Sequence, residues 1–288
     1  MNPESYKYID LHIHTVYSDG LYSPAKVVGI ADELNLRAIA ITDHDEVAGI
    51  DEALHVAGEL DIEVIPGIEM STIFDDFEVH ILGYFIDHQH PSIREYVSRC
   101  NEWRTKRAQK IVRLLNQQGV HLSYDLVRFK AGNGAVGRPH IADVLVEEGF
   151  VFSYSEAFEK FLGENKPAFV PKMKIEPVSA IQLIHQAGGL AFIAHPGVGL
   201  TDAIIHQVVR YGVDGIEILH PSHSADDVRR LGEIAGRFGL LECGGSDCHG
   251  ARQGEVMIGT LDVPVSWLNA IKSKLARVRT SSFTVPPN

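Results

Sequence analysis

The sequence predicts an α/β fold in which strands alternate with helices and a helical segment interrupts the series. Three observations carry this expectation. Short apolar runs rich in β-branched residues recur along both ends of the chain, most of them followed by a helical pattern. From Pro91 to about Pro171 the strand pattern disappears and the chain reads as helical throughout. At 288 residues, with 45% hydrophobic and 22% charged content, the chain is long enough for one large α/β domain carrying an insertion.

Taken in order, Tyr6 to Thr15 alternates with period 2 and reads as a strand. Ser23-Pro24 is a helix start, an N-cap with proline at the first helical position, and the helix runs to about Leu34. Leu36 to Thr42 is a buried strand, Val47 to Leu60 a helix, and Ile62 to Ile68 and Glu78 to Phe85 two more strands. The rhythm argues for parallel strands joined by βα crossovers. The insertion begins with a long amphipathic stretch, Ser92 to Gln118, followed by short helices near Ser123–Phe129, Pro139–Glu148 and Ser155–Phe161. Helix Pro177–Gln186, strand Leu190–Ala194, helix Asp202–Tyr211, strand Asp214–Leu219, helix Ala225–Phe238 and strand Leu240–Cys243 then resume the pattern. Trp267 to Leu275 is a last helix, and Val285 to Asn288 a tail. Residues 1–90 and 172–288 are thus expected to form one barrel, with 91–171 inserted in it rather than folding alone.

Composition narrows the function classes. No apolar run approaches the roughly 20 residues of a membrane span, and no basic-then-apolar signal opens the chain. Three cysteines, Cys100, Cys243 and Cys248, make no even disulfide framework, so a cytoplasmic location is expected. The formal charge of −12 argues against a broad grip on long nucleic acid, and nothing points to an obligate protein partner.

The chemistry starts at Asp10-Leu11-His12-Ile13-His14-Thr15. Alternate residues of a strand share a face, so His12 and His14 project together as two imidazoles bound for one metal must. Further polar residues stand at or just past predicted strand ends: Asp19, Asp43, His44, Glu69, His80, His195, Glu217, His220, Asp247 and His249. In a βα barrel such ends converge on one face. Imidazoles and carboxylates in this number suit two or three divalent transition ions.

The ordered motifs DLHIHT (10–15), TDHD (42–45), GIE (67–69), HP (195–196) and SDCHG (246–250) resemble those of the polymerase-and-histidinol-phosphatase (PHP) family over residues 6–85 and about 175–260. The resemblance implies a distorted (β/α)7 barrel with a trinuclear centre on its C-terminal face. It implies that His12, His14 and Asp247 hold one ion with Glu69 bridging, that Asp19, His44 and His249 hold a second, and that Glu69, His80 and His195 hold a third. Manganese is the expected metal, with iron or zinc as alternatives. A water bridging two such ions yields hydroxide near neutral pH for attack on a phosphate ester. Asp43 is expected to orient a ligand, and the proton donor to the leaving oxygen is left open.

For the substrate, Ala131 to Pro139 is a glycine-rich loop leading into a helix, a natural anion site, with Gly134 in the loop and Arg138 beside it as a phosphate clamp. Asn101 to Arg107 places Trp103 among cations, either stacking on a base or packed in the core, with Arg104 and Thr105 as contacts. His223 and Lys172 complete the candidate set. The insertion and GRPHIA (137–142) resemble a stand-alone branch acting on nucleoside 3′,5′-bisphosphates, with relatives that trim short RNA from the 5′ end. That resemblance implies a phosphatase removing the 3′-phosphate to give a nucleoside 5′-monophosphate. The rival readings are a histidinol-phosphate phosphatase and a non-catalytic PHP module.

Overall fold

The computed structural model describes residues 8–132, 134–173, 175–251 and 257–282. Strand β1 (Tyr8–Ile13) is followed by α1 (Pro24–Glu33), β2 (Ala38–Ile41), α2 (Ile50–Ala57), β3 (Glu63–Phe74) and β4 (Phe77–Tyr84). The insertion supplies α3 (Pro91–Gln117), α4 (Tyr124–Ala131), α5 (Arg138–Glu147) and α6 (Tyr154–Ala157), the last continuing as a π-helical turn over Phe158–Leu162. The barrel resumes with α7 (Pro177–Gln186), β5 (Leu190–Ile193), α8 (Asp202–Arg210), β6 (Gly215–Leu219), α9 (Ala225–Phe238), β7 (Leu241–Gly244), β8 (Val263–Pro264) and α10 (Val265–Ser282). The predicted tail from Val285 lies outside the described residues. No described helix is long and apolar enough to cross a membrane.

The sheet runs β7-β6-β5-β4-β3-β2-β1-β8 and curls into a nearly closed barrel. Closure comes just past β7, where Ile13 and Cys248 form a parallel bridge and the His14 N–H donates to the Cys248 carbonyl at 3.0 Å. Asp10 fastens the same seam. Its buried carboxylate accepts from the N–H groups of His12, Ser246 and Gly259 at 3.3, 2.9 and 2.9 Å. Gly245 approaches β1 so closely that a Cβ there would lie 2.3 Å from His12 N.

The strands are not all parallel, which corrects the expectation from the repeat. β4 runs antiparallel to both β3 and β5. The nine residues between Ile68 and Glu78 are too few for a crossover helix, and parallel strands need a dozen or more. β3 instead continues to Phe74 and turns back at Asp75, whose φ of 53° is left-handed. Antiparallel travel brings the first half of β4, with His80, to the barrel end where the parallel strands finish.

Two hydrophobic masses meet at α3. Leu11, Ala40, Ile65, Leu82, Phe192 and Cys243 draw the strands together with Leu268 and Ile271 of α10. A second cluster is built wholly from residues between Ala108 and Val170, so the insertion has a core of its own. The first half of α3 (Ile93, Tyr96, Val97, Cys100) packs into the core shared by the strands and outer helices; its second half (Ala108, Ile111, Val112, Leu115) packs into the insertion. Replacing Asp10 by Ala should strand three buried donors and cost about 3 kcal/mol, and Asn should cost less, as read by urea unfolding. An Asp10→Ala variant as stable as the parent would show that the seam closes without this carboxylate.

Candidate metal centre

Glu69 is the hub of the site. It is fully buried in the middle of β3, and five histidines from five segments of the chain surround its two oxygens. Oε2 faces His12 Nε2 at 3.2 Å, His14 Nε2 at 3.2 Å and His44 Nδ1 at 3.0 Å. Oε1 faces His80 Nδ1 at 2.8 Å and His195 Nε2 at 2.9 Å. Asp247 Oδ1 lies 2.9 Å from His14 Nε2 and 3.3 Å from His12 Nε2. His249 Nε2 lies 3.2 Å from Asp19 Oδ1 and its ring stacks on His14 with centroids 4.2 Å apart. All nine residues singled out in the sequence therefore converge on one end of the barrel. Glu69 and His80 reach it from mid-strand rather than from strand ends.

The arrangement suits cations better than hydrogen bonds. Among the described residues four groupings have ligand atoms within 4.8 Å of one another: His12, His14, Glu69 and Asp247; His14, Asp19, His44 and His249; His44, Glu69 and His80; and His12, Glu217 and His220. Both nitrogens of His14, His44 Nδ1 and His80 Nε2 are buried without a hydrogen bond. Titration follows the same logic. Burial disfavours charge on His14, yet Asp247 and Glu69 push it up to about 10, whereas burial drives His44 down to about 3. Burial likewise opposes ionisation of Glu69, but the charges of His44, His12 and His80 hold it well below the carboxylate range. A divalent ion relieves this crowding by taking the lone pairs that protons cannot all occupy. The backbone is strained at the same place: Asp45, His195 and Asp247 have φ of 52°, 28° and 49°.

The surrounding residues assign roles that the sequence left open. The carboxylate of Asp43 faces the loop after β1 rather than the adjacent ligand His44. It accepts from Thr15 N–H (2.7 Å), Thr15 hydroxyl (2.6 Å) and Ser18 hydroxyl (2.6 Å), and so pins the loop that carries Asp19. His223 is a brace rather than a substrate contact, because Nδ1 donates to the Ile218 carbonyl at 2.9 Å while Nε2 accepts from Gly197 N–H at 3.0 Å. His220 lines the same end of the barrel, with Nε2 3.3 Å from Asp247 Oδ2, and Glu217 is buried beside it and His12.

The glycine-rich loop is not an open anion nest. The N–H groups of Gly134, Ala135 and Gly137 are taken by the Ala131 carbonyl, the Tyr17 carbonyl and His140 Nδ1. Gly134 presses against the loop before Asp19, where a Cβ would lie 2.3 Å from the Val16 carbonyl oxygen. Arg138 donates to the Leu162 carbonyl and lies over the rings of Phe158 and Phe169. The cationic lining falls instead on α3. A small, partly open cavity of about 20 Å³ is bounded by Asp45, Ser71, Trp103, Arg104, Arg107 and Lys172, among others, and Thr105, half-buried on α3, is not part of it. Arg104 pairs with Asp45 and Lys172 with Glu78, while Arg107 Nη2 and Ser71 Oγ are buried without partners. Burial and the neighbouring Arg138 and Arg104 lower Arg107 to about 9. Arg107 was not singled out from the sequence, although its i+3 spacing from Arg104 places it on the same helical face.

Comparison with known proteins agrees. The model of the PHP domain matches residues 10–167. A 5′-3′ exoribonuclease of Haemophilus influenzae is 36% identical over 248 residues, 84% of this chain and 90% of that protein. A 3′,5′-nucleoside bisphosphate phosphatase of Chromobacterium violaceum is 34% identical over 263 residues, 89% of this chain and 92% of its own length. A crystal structure described as a metal-dependent phosphoesterase from Bifidobacterium adolescentis superposes with a TM-score of 0.87 at 29% identity, over 95% of this chain and 98% of that one. Fold and site together are those of a metal-dependent phosphoesterase. The chain belongs to the PHP family.

Metal uptake should be visible in stability. Manganese at a hundred-fold excess over its dissociation constant adds about 2.7 kcal/mol, so the melting temperature should rise by several degrees and fall back with chelator. His14→Ala should abolish most of that rise. Equal melting curves with and without manganese would show that the cluster takes up no ion.

Proposed function

We propose that the protein removes the 3′-phosphate from nucleoside 3′,5′-bisphosphates, giving a nucleoside 5′-monophosphate, and trims short 5′-phosphorylated oligoribonucleotides by the same chemistry. On this reading Glu69 and the eight residues around it hold three divalent ions, manganese first among the candidates, in the ligand sets implied by the family. Such ions supply hydroxide near neutral pH and neutralise charge on the phosphate oxygens. The chain's own residues do the rest. Asp43 fixes the Asp19 loop, Glu69 gathers the imidazoles, and the cations of α3 hold the second phosphate.

The observation that carries the proposal is the cavity beside the metal centre. Ser71 follows Glu69 by two residues on β3 and pairs across the hairpin with His80. Asp45 follows His44 and donates its N–H to the Glu69 carbonyl at 2.9 Å. A buried guanidinium whose Nε donates to the Val170 carbonyl but whose Nη2 has no partner, a buried hydroxyl without a partner and a lysine thus face a cavity adjoining the ligands. That is a demand for an anion, since an unpaired buried donor costs about 1–3 kcal/mol until one arrives. A substrate bearing two phosphates meets it. Histidinol phosphate, whose second group is an ammonium, is repelled. Three free cysteines fit a cytoplasmic site of action.

The test is phosphate release, with manganese present, from 3′,5′-bisphosphoadenosine, histidinol phosphate and a 5′-phosphorylated dinucleotide. Preference for histidinol phosphate overturns the proposal. Arg107→Ala should raise KM for the bisphosphate about 10- to 100-fold, the worth of one or two charge-assisted hydrogen bonds, while sparing an aryl phosphate with no second anion. Equal losses on both substrates would place Arg107 in the scaffold.

A further inference from the structure

Glu217 enters β6 as one acid among apolar neighbours, GIEIL; it groups with His12 and His220 and lies outside the ligand sets that the family implies. Its side chain is fully buried and it holds two different segments at once. One oxygen lies 3.0 Å from His12 Nδ1, and the other accepts the backbone N–H of His195 at 2.7 Å. His12 belongs to the grouping with His14, Glu69 and Asp247, whereas His195 stands with His80 on the other oxygen of Glu69.

Resting on the proposed metal centre, we infer that Glu217 is a positioning residue that sets two metal positions together. Donation of the Nδ1 proton to Glu217 leaves the His12 Nε2 lone pair directed at Glu69 and Asp247, so the carboxylate fixes both the tautomer and the ring angle. At His195 it acts on the backbone. That residue sits at φ 28°, a region that side-chain-bearing residues seldom adopt. The bond from its N–H to Glu217 holds it there, and the bond from Gly197 N–H to His223 holds the turn that follows. The grouping of His14, Asp19, His44 and His249 contains no residue bonded to Glu217.

Glutamine is the discriminating substitution because it keeps the shape and supplies one acceptor where two donors converge. If its carbonyl stays on His195, its amide N–H meets His12 Nδ1, and the His12 proton must move to the nitrogen that faces the cluster. If the amide is reversed, His195 loses its acceptor. Glu217→Gln should therefore weaken one metal position about 10- to 100-fold, and Glu217→Ala should weaken two.

Equilibrium dialysis of the metal-stripped full chain against graded free manganese, with metal counted per chain, reads this directly. The expected result is a Glu217→Gln curve with one step displaced, a Glu217→Ala curve with two displaced, and the tightest unaffected step at its wild-type concentration. Circular dichroism confirms that both variants are folded, and the Gln variant carries the test if Ala is not. A Glu217→Gln curve that superimposes on wild type overturns the inference, and so does an equal displacement of every step, which is the mark of a merely structural residue. A wild-type chain that binds no manganese removes the metal-centre reading itself and this inference with it.

Discussion

A single buried carboxylate constrains this molecule. Glu69 has no solvent contact, and it is held ionised by imidazoles that burial alone would leave neutral. Taking such a charge out of water costs several kcal/mol unless partners surround it. Five histidines do so here, and they arrive from β1, the loop after it, the turn after β2, β4 and the turn after β5. No local element could bring them together. The barrel has to close at the seam between β1 and β7, and β4 has to run backwards, before the carboxylate is satisfied. Chemistry and fold are therefore one constraint: the charge that makes the site useful is stable only in the closed barrel.

What the sequence made legible follows from how local each signal is. The His12–His14 pairing needed only the period of a strand, and the convergence of Asp247 and His249 needed only the rule that strand ends meet. The strand directions were less visible, because the repeat of strands and helices suggests parallel neighbours by default. Only the short stretch between Ile68 and Glu78 spoke for a hairpin. Asp43 was misassigned because adjacency in sequence to His44 says nothing about where a side chain on a turn points; it faces the loop from Thr15 to Ser18. The glycine-rich loop failed for a related reason. Glycines expose backbone N–H groups only if tertiary contacts leave them free, and here Tyr17 and His140 take them. Arg107 looked like one more cation on an amphipathic helix, and only packing reveals that its tip is buried without a partner.

The long helix α3 explains why specificity gathers where it does. Its first turns belong to the barrel's packing and its last turns to the insertion's own cluster, so residues 96–107 straddle the junction between two cores. Junctions between packed bodies are where interiors are hardest to fill, and the cavity lined by Arg104 and Arg107 lies there. The same helix reaches the metal ligands through Asp45, which accepts from the Tyr96 hydroxyl at 2.5 Å and pairs with Arg104 while its backbone bonds Glu69. A shift of α3 would thus be felt at Glu69 within two bonds of contact.

The net charge of −12 and the cationic cavity are reconciled by distance. Asp19, Glu69 and Asp247 are the proposed ligands, whose charge is offset once cations bind; Asp10, Asp43, Asp45 and Glu217 are buried among their own partners, and many of the others lie at the surface. At physiological ionic strength the Debye length is about 8 Å, so a phosphate inside the cavity feels its guanidinium and ammonium neighbours far more than the distant surface acids. A polymer lying across the surface would feel those acids along its length. The cavity is also small: Tyr96, Trp103 and Met173 bound it, which on the proposed function favours a terminal group over a continuing strand. On the proposed function, then, selection for small bisphosphates and for the ends of short chains needs no sequence readout. It follows from placing a small cavity lined by Arg104, Arg107 and Lys172 a fixed step from the carboxylate on which the whole barrel depends.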